Sequence, residues 1–116
     1  MADAVYFEPM RTSVFVTTGG SKKKLANHTI KRIAYKFVFP PGSSFYAKDE
    51  EMYGFVPEWG KIEVTLYRKP GKPTNETMTI QFAAAPTGND PKASFVTGVP
   101  QGEYGGETQV KLVGTE

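Results

Sequence analysis

The sequence predicts an all-β fold, an antiparallel β-sandwich of about seven short strands. Apolar and polar residues alternate with period two in several segments, which is the pattern of a strand with one buried face. Clusters of Gly, Pro, Asn, Asp and Ser separate these segments, and no long window has the periodicity of an amphipathic helix. These observations are typical of an immunoglobulin-like sandwich, and a β-barrel is the alternative.

The strongest strand signal lies in the segment "KRIAYKFVF". There Ile33, Tyr35, Phe37 and Phe39 fall on one side and are expected to be buried. Three later segments repeat the pattern and predict further half-buried strands. Their inward residues are Ile62, Val64 and Leu66 in "KIEVTLYRK", Met78, Ile80 and Phe82 in "TMTIQFA", and Val110 and Leu112 in "TQVKLVG".

Weaker strand signals occur in "AVYFE", "SVFVTT", "KKKLAN" and "MYGFV". A short helical turn is predicted in "NDPKASF", because Asp90 suits the N-cap and Pro91 suits the first helical position. The tract "RKPGKPTNE" lies between two strong strands, so it is predicted to be an exposed hairpin connection.

The length of the chain, 116 residues, is enough to bury one core, so residues 1–116 are predicted to form a single domain. The absence of cysteine excludes disulfides and thiolate chemistry. No apolar run approaches the roughly 20 residues of a membrane span, and the first ten residues lack the features of a signal peptide. A cytoplasmic protein is therefore expected, in which the glycosylation patterns at Asn27 and Asn75 are chance matches.

The net charge is +2, but it is unevenly distributed along the chain. Residues 1–48 carry 8 Lys/Arg against 2 Asp/Glu, and the rest carry 6 against 10, which gives +6 against −4. Such a split hints at a bipolar surface that favours head-to-tail contacts between copies.

Catalytic and metal-binding patterns are missing from the sequence. His28 is the single histidine, so a histidine metal site or a catalytic dyad lacks partners, and a turn or edge position is expected for it. The carboxylates of "KDEEM", residues 48–52, lack the spacing and the glycine of a calcium loop and are expected in a solvated loop. We predict that the chain is not an enzyme and takes no metal, cofactor or small-molecule substrate.

A cluster of cations is the main candidate for a contact surface. Nucleic acid is not expected as its partner, because Tyr35, Phe37 and Phe39 are in phase with the core and unavailable for base stacking. Acidic protein or anionic lipid fits better. Trp59 lies in the turn signal "PEWGK", where it either marks a contact surface or folds back to cap the core. The candidate contact residues are Lys22, Lys23, Lys24, Lys31, Arg32, Lys36 and Trp59.

The segment "NHTIKRIAYKF" resembles a central strand of the major sperm protein domain family. The residues that match are Asn27, Thr29, Arg32, Ala34, Tyr35, Lys36 and Phe37. In the same order along the chain, "FEPM" resembles the opening strand of the family and "GFVPEWGKIEVTL" its hydrophobic-Pro-turn-strand segment. The segment "QFAAAPTGNDPKASFV" is similar to the small sperm-specific subgroup of nematodes.

The resemblance implies a seven-stranded immunoglobulin-like sandwich without catalytic activity. Members of this kind are cytoplasmic proteins of amoeboid nematode sperm, which form motile filaments or associate with them. The implied partners are therefore protein, either a second copy of the chain or filaments of major sperm protein type. A filament subunit and an accessory or capping protein are both compatible with the sequence.

Another branch of the family, the VAMP-associated proteins, binds short acidic peptides that contain two phenylalanines. Its peptide site has Lys and hydroxyl residues where this chain has Val38, Phe39 and Pro40, and a Lys and Met where this chain has Thr77 and Thr79. The charge-assisted contacts of that site are therefore absent. Self-association or filament binding is the leading hypothesis, and an adaptor that binds an acidic peptide on a basic sheet face is the alternative.

Overall fold

A computed structural model describes residues 4–8, 13–100, 102 and 104–115 of the chain. Within these residues the secondary structure is almost entirely β. The nine strands are β1 (Val5–Glu8), β2 (Ser13–Val16), β3 (Ser21–Asn27), β4 (Ile33–Val38), β5 (Phe45–Tyr46), β6 (Tyr53–Val56), β7 (Lys61–Arg68), β8 (Asn75–Ala84) and β9 (Gly106–Gly114). The two 3₁₀ helices are Asp49–Glu51 and Pro91–Phe95.

The strands form two sheets that face each other, which confirms the predicted immunoglobulin-like sandwich. One sheet has the order β1-β3-β7-β5 and the other has the order β2-β9-β8-β4-β6. All neighbouring strands are antiparallel except β2 and β9, which are parallel. This exception was not predicted, because period-two alternation defines the buried face of a strand and not its direction.

The core lies between the sheets and contains the residues that the alternation placed inward. Ile33, Tyr35 and Phe37 of β4 are buried, and Phe39 packs against the core with part of its side chain exposed. Of the other inward residues, Ile62 is also partly exposed, and the rest are buried. The buried ones are Val64, Leu66, Met78, Ile80, Phe82, Val110 and Leu112.

Tyr35 depends on a glycine in the neighbouring strand. It pairs with Gly54 of β6, where a Cβ atom would lie 2.8 Å from the Tyr35 ring. The Tyr35 hydroxyl donates to the carbonyl oxygen of Glu51 at 2.9 Å. Burial raises the pKa of Tyr35 far above its ordinary value of 10.0, and the charge of Glu51 adds to the increase.

The Pro91–Phe95 helix confirms the turn predicted in this region. Asp90 is its N-cap, and the Asp90 carboxylate accepts a hydrogen bond from the Lys92 backbone at 3.0 Å. The helix packs against β4 and β6 on the outer side of the five-stranded sheet. Ala34 and Ala83 are paired across β4 and β8 and are buried although they point away from the core, so other parts of the chain cover the outer face of the sheet here.

The connection between β7 and β8 differs from the predicted hairpin. It is exposed, as expected, but it crosses from the four-stranded sheet to the five-stranded sheet. The side chain of Arg68, which is 2% exposed, binds the backbone at the start of this connection. The guanidinium donates to the carbonyl oxygens of Gly71 at 3.0 Å and Thr115 at 2.9 Å.

Candidate protein-contact surfaces

A buried asparagine joins two loops at one end of the sandwich. Asn27 is the last residue of β3 and is completely buried. Its side-chain amide nitrogen lies within hydrogen-bond distance of the carbonyl oxygens of Lys31, at 2.9 Å, Val56, at 3.0 Å, and Pro57, at 3.1 Å. One side chain thus fixes the loop of residues 28–32 and the turn of residues 57–60.

Thr29 completes this arrangement. The Asn27 side-chain oxygen accepts hydrogen bonds from the backbone and the hydroxyl of Thr29, both at 2.8 Å. The Thr29 hydroxyl is also 2.8 Å from the carbonyl oxygen of Lys31. The Asn-His-Thr pattern is therefore a structural brace in this fold, with the Asn27 amide enclosed and fully bonded.

Trp59 lies in the turn of residues 57–60 that Asn27 braces. Its backbone has φ of 53°, a left-handed conformation that bulky residues rarely adopt. The Trp59 N–H donates to Thr29 at 3.2 Å, and a Cβ atom on Gly60 would lie 2.7 Å from the Pro57 ring. The side chain of Trp59 is 66% exposed. Of the two interpretations of the sequence, the exposure favours a contact surface, since a residue that capped the core would be buried.

Two other rings and an isoleucine accompany Trp59. His28 directly follows β3 and is exposed, as expected, and its ring centroid lies 6.2 Å from that of Trp59 and 5.0 Å from that of Tyr6. Tyr6 and His28 share a hydrogen bond of 2.8 Å. Ile30, in the same loop, is 65% exposed. We call His28, Ile30, Glu58 and Trp59 the Trp59 tip.

An ion pair lies beside the tip on the outer face of the four-stranded sheet. Lys61 donates to Glu8 at 2.6 Å, and this hydrogen bond raises the pKa of Lys61. The second oxygen of Glu8 lies 3.9 Å from the His28 ring nitrogen. Lys61 therefore adds little net charge to this end of the molecule.

The predicted cations do not form one surface. Lys22 and Lys24 of β3 are exposed on the outer face of the four-stranded sheet, where Lys24 lies 3.8 Å from Glu63. Lys23 is partly buried and has the opposite orientation along β3. Lys36 of β4 lies on the outer face of the other sheet. Whether any of these lysines contacts a partner stays a prediction.

Arg32 and Lys31 lie in the braced loop. The Arg32 guanidinium donates to the carbonyl oxygens of Ala85 and Gly88, both at 2.7 Å, and stacks 3.7 Å from the centroid of the Phe55 ring. These contacts hold the segment after β8, so Arg32 has a structural role. Lys31 is partly buried, and its backbone is bound by Asn27 and Thr29.

Lys36 has a partner that the sequence did not suggest. The ammonium groups of Lys36 and Lys92 lie 5.8 Å and 5.4 Å from the centroid of the Tyr53 ring. Lys36 and Lys92 are far apart in the sequence, and the packing of the Pro91–Phe95 helix brings them together. The result is a small basic spot around an aromatic ring on the outer face of the five-stranded sheet.

The edge strand β2 presents a further candidate contact surface. Among the described residues, it pairs on one side with β9 and forms the edge of its sheet. The carbonyl oxygen of Val16 accepts from Thr115 in that pairing, so the backbone groups of Phe15 point to the open edge. The Phe15 side chain is 44% exposed. Period-two alternation in "SVFVTT" placed Phe15 outward, but the edge position requires the topology.

The described part of the chain contains no group of three or more His, Cys, Asp or Glu residues positioned to hold a metal ion. No helix in it is long and apolar enough to cross a membrane.

Comparisons with known proteins agree with this architecture, although the chain matches no protein-family model. The uncharacterized Caenorhabditis elegans protein ZK1307.4 is 34% identical over 117 residues, which cover 100% of both chains. Sperm-specific class P protein 34 of C. elegans is 32% identical over 88 residues, covering 75% of this chain and 80% of the relative. The structure of WR4, a C. elegans MSP family member, has a TM-score of 0.78 at 26% identity and covers 98% of this chain and 100% of WR4.

The two sheets and their connections define an immunoglobulin-like β-sandwich domain. Because its sequence relatives include sperm-specific proteins and a solved structure similar to it is that of an MSP family member, the chain belongs to the major sperm protein domain family.

Proposed function

We propose that the chain is a non-enzymatic structural protein of the nematode sperm cytoplasm. It acts on the cytoskeleton by self-association or by binding to filaments of major sperm protein type. Membership of the family supports this proposal, as does the similarity to a relative named sperm-specific class P protein 34. The relatives come from a nematode, and in the described chain the conspicuous surface features are exposed apolar groups and an open strand edge.

The open edge of β2 is the observation that carries the proposal. A strand edge with unpaired backbone groups is a template for pairing with another strand, and proteins that do not use such an edge usually protect it with charge or proline. The described edge instead presents Phe15, a large apolar side chain. A second copy that pairs through the same edge forms a symmetric contact.

Sedimentation velocity over a wide range of protein concentration tests self-association. We expect the mass to grow with concentration, and the Phe15→Lys variant to lose the part of this growth that depends on pairing through the edge of β2, because a charge protects the edge. Phe15→Leu is the matched control, since it keeps an apolar side chain at the same exposed position. Co-sedimentation with filaments of major sperm protein type tests the second mode of action, binding to filaments.

A chain that stays monomeric at all concentrations and does not co-sediment with filaments would contradict the proposal. Equal growth of the wild type and the Phe15→Lys variant would show that assembly does not use the edge of β2.

The basic spot around Tyr53 favours a second candidate function, the binding of an acidic peptide. Lys36 and Lys92 flank the ring, which offers an apolar contact between two cations. Thr79 and Val38, which are paired on the neighbouring strands, lie where the VAMP-associated branch carries other residues, so a different peptide sequence is expected.

Titration calorimetry with a set of acidic peptides that differ in their apolar residues tests this candidate. The Lys36→Glu plus Lys92→Glu variant is expected to lose binding, because its charges repel the peptide. Lys22→Glu plus Lys48→Glu is a matched control with the same change of charge at exposed positions elsewhere. Equal binding by both double variants would exclude the basic spot around Tyr53 as the peptide-binding site. Arg32 is unsuitable for such a reversal, because its replacement would also release the segment after β8.

A further inference from the structure

We propose that the Trp59 tip of one copy docks onto the loop of residues 69–74 of a second copy, so that copies join end to end. We call this segment the lysine-proline loop. The inference rests on the self-association of the proposed function and adds a second, asymmetric contact to the edge of β2.

The two surfaces lie at opposite ends of the molecule. Trp59 precedes the first residue of β7, and the lysine-proline loop follows the last one. The strand has 8 residues, so it separates the two surfaces by about 26 Å at roughly 3.3 Å per residue. A contact between them within one chain is therefore impossible, whereas two copies placed end to end bring them together.

The Trp59 tip is prepared for binding before a partner arrives. The Asn27 brace fixes both of its loops, and Trp59 is held in a strained backbone conformation with its ring in solvent. Strain of this kind persists where the surroundings enforce it and is frequent at binding sites. Ile30, 65% exposed, and Trp59, 66% exposed, thus form a rigid apolar surface, and little conformational entropy is lost when it is covered.

The lysine-proline loop has complementary chemistry. Every residue from 69 to 75 is exposed, and the segment contains Lys69, Lys72, Pro70 and Pro73 but no Asp or Glu. Its base is fixed, because the Lys69 N–H donates to Ser44 at 2.7 Å and Arg68 binds the carbonyl oxygen of Gly71. The loop therefore presents two cations and two proline rings on a held backbone.

Lysine ammonium groups and proline rings both bind aromatic surfaces. A lysine ammonium is attracted to the face of a tryptophan ring, and proline packs against exposed aromatic rings in many peptide complexes. Glu58, exposed beside Trp59, adds a carboxylate that attracts Lys69 or Lys72. The neighbouring cation Lys61 is paired with Glu8, which reduces its repulsion of the loop. The adjoining loop carries two further cations, Lys31 and Arg32, and the Arg32 guanidinium is engaged by the carbonyl oxygens of Ala85 and Gly88.

A contact between two different surfaces leaves one of each free after every addition, and because these surfaces lie at opposite ends of the molecule, growth is expected to continue in a line and not to close into a small ring. It also gives a sharp test. The Trp59→Gly variant lacks the indole ring of the tip, and glycine suits the positive φ at this position, so folding is preserved. The Lys69→Glu plus Lys72→Glu variant lacks the cations of the loop. All chains in the test also carry Phe15→Lys, which removes pairing through the edge of β2.

We expect each blocked variant alone to be monomeric in sedimentation velocity, with end-to-end association weakened by at least about tenfold, as for loss of an anchor residue. A mixture of the two variants is expected to form a 1:1 complex and to stop there, because one supplies the intact tip and the other the intact loop. Lys22→Glu plus Lys48→Glu serves as the charge-matched control and is expected to associate like its parent.

The emission of Trp59 provides a second readout, because the chain contains one tryptophan. In the parent chain we expect the emission to shift to shorter wavelength as the mass increases. Growth in mass with unshifted emission, or no complex in the mixture of blocked variants, would overturn the end-to-end contact. In the first of these cases self-association itself stands, whereas a wild-type chain that neither associates nor co-sediments with filaments contradicts the proposed function instead.

Discussion

At the scale of single residues, Asn27 is the residue on which the Trp59 tip depends. Its amide meets three carbonyl oxygens, and its carbonyl accepts two hydrogen bonds, all in a buried position. We expect Asn27→Ala to lower the free energy of unfolding by about 3 kcal/mol, because several buried polar groups lose their partners.

Chemical denaturation measures this effect, and Asn75→Ala is the control. Asn75 belongs to the other glycosylation pattern and is exposed, so its replacement is expected to change stability by less than about 0.5 kcal/mol. Equal effects of the two substitutions would contradict the role assigned to the brace.

Because of Tyr35, the stability of the folded chain is expected to depend on pH in the alkaline range. Its pKa is raised in the folded state, so above pH 10 the unfolded chain releases a proton that the folded chain retains. The stabilisation that this proton contributes is complete below pH 10 and is lost as pH rises from there toward the folded pKa, with a limiting slope of about 1.4 kcal/mol per pH unit.

The comparison with Tyr35→Phe isolates this effect. At pH 7 the variant is expected to be less stable by about 1 kcal/mol, because the hydrogen bond to Glu51 is lost. Above pH 10 the difference between the two proteins is expected to shrink. Denaturation curves at a series of pH values measure it, and a constant difference up to pH 11 would show that Tyr35 does not titrate as the burial implies.

At the scale of elements, the pairing of β4 with β6 depends on the space at Gly54. A Cβ atom there would lie 2.8 Å from the Tyr35 ring, which is packed in the core and has little room to move. We expect Gly54→Ala to destabilise the fold by about 2 kcal/mol through overpacking. Gly19→Ala is the control, since nothing lies within 4 Å of its Cβ position, and thermal unfolding of both variants checks the prediction. A smaller effect at Gly54 than at Gly19 would contradict it.

The elements also show which parts of the fold the sequence could predict. Alternation found the strands and the inward residues of β4, β7, β8 and β9, because a buried sheet face imposes period two. The N-cap chemistry of Asp90 located the Pro91–Phe95 helix. The strand Phe45–Tyr46 was missed, because two residues are too few to show a period. The crossing between β7 and β8 was missed as well, because turn residues do not reveal which sheet the next strand joins.

The candidate surfaces were less predictable than the strands. Trp59 was singled out, but its exposure follows from the brace on the turn. The clustering of cations in the sequence did not become clustering in space, because Lys22 and Lys36 lie on strands of different sheets. Arg32 has the ordinary appearance of a surface cation, and only the packed segment after β8 shows its structural role.

At the scale of the whole molecule, the strands run along the longest dimension. The extents are 41 × 27 × 25 Å, and β8, with 10 residues, spans about 33 Å, which exceeds the two shorter dimensions. End-to-end assemblies of the Phe15→Lys variant are therefore expected to be rods one domain wide. Small-angle X-ray scattering checks this prediction. The cross-section is expected to stay constant while the length grows with concentration, and an increase in cross-section would indicate lateral contacts instead.

The way in which Arg68 holds the lysine-proline loop has a consequence for closely related chains made in the same cell. Arg68 binds carbonyl oxygens of the loop, and every amino acid carries a carbonyl oxygen. Except at Gly71, whose φ of 137° favours glycine, the loop can therefore exchange its side chains without losing these backbone contacts. Under the proposed end-to-end contact, duplicated genes that diverge at this segment would yield products that each recognise their own kind, so that a mixed population would sort into separate assemblies.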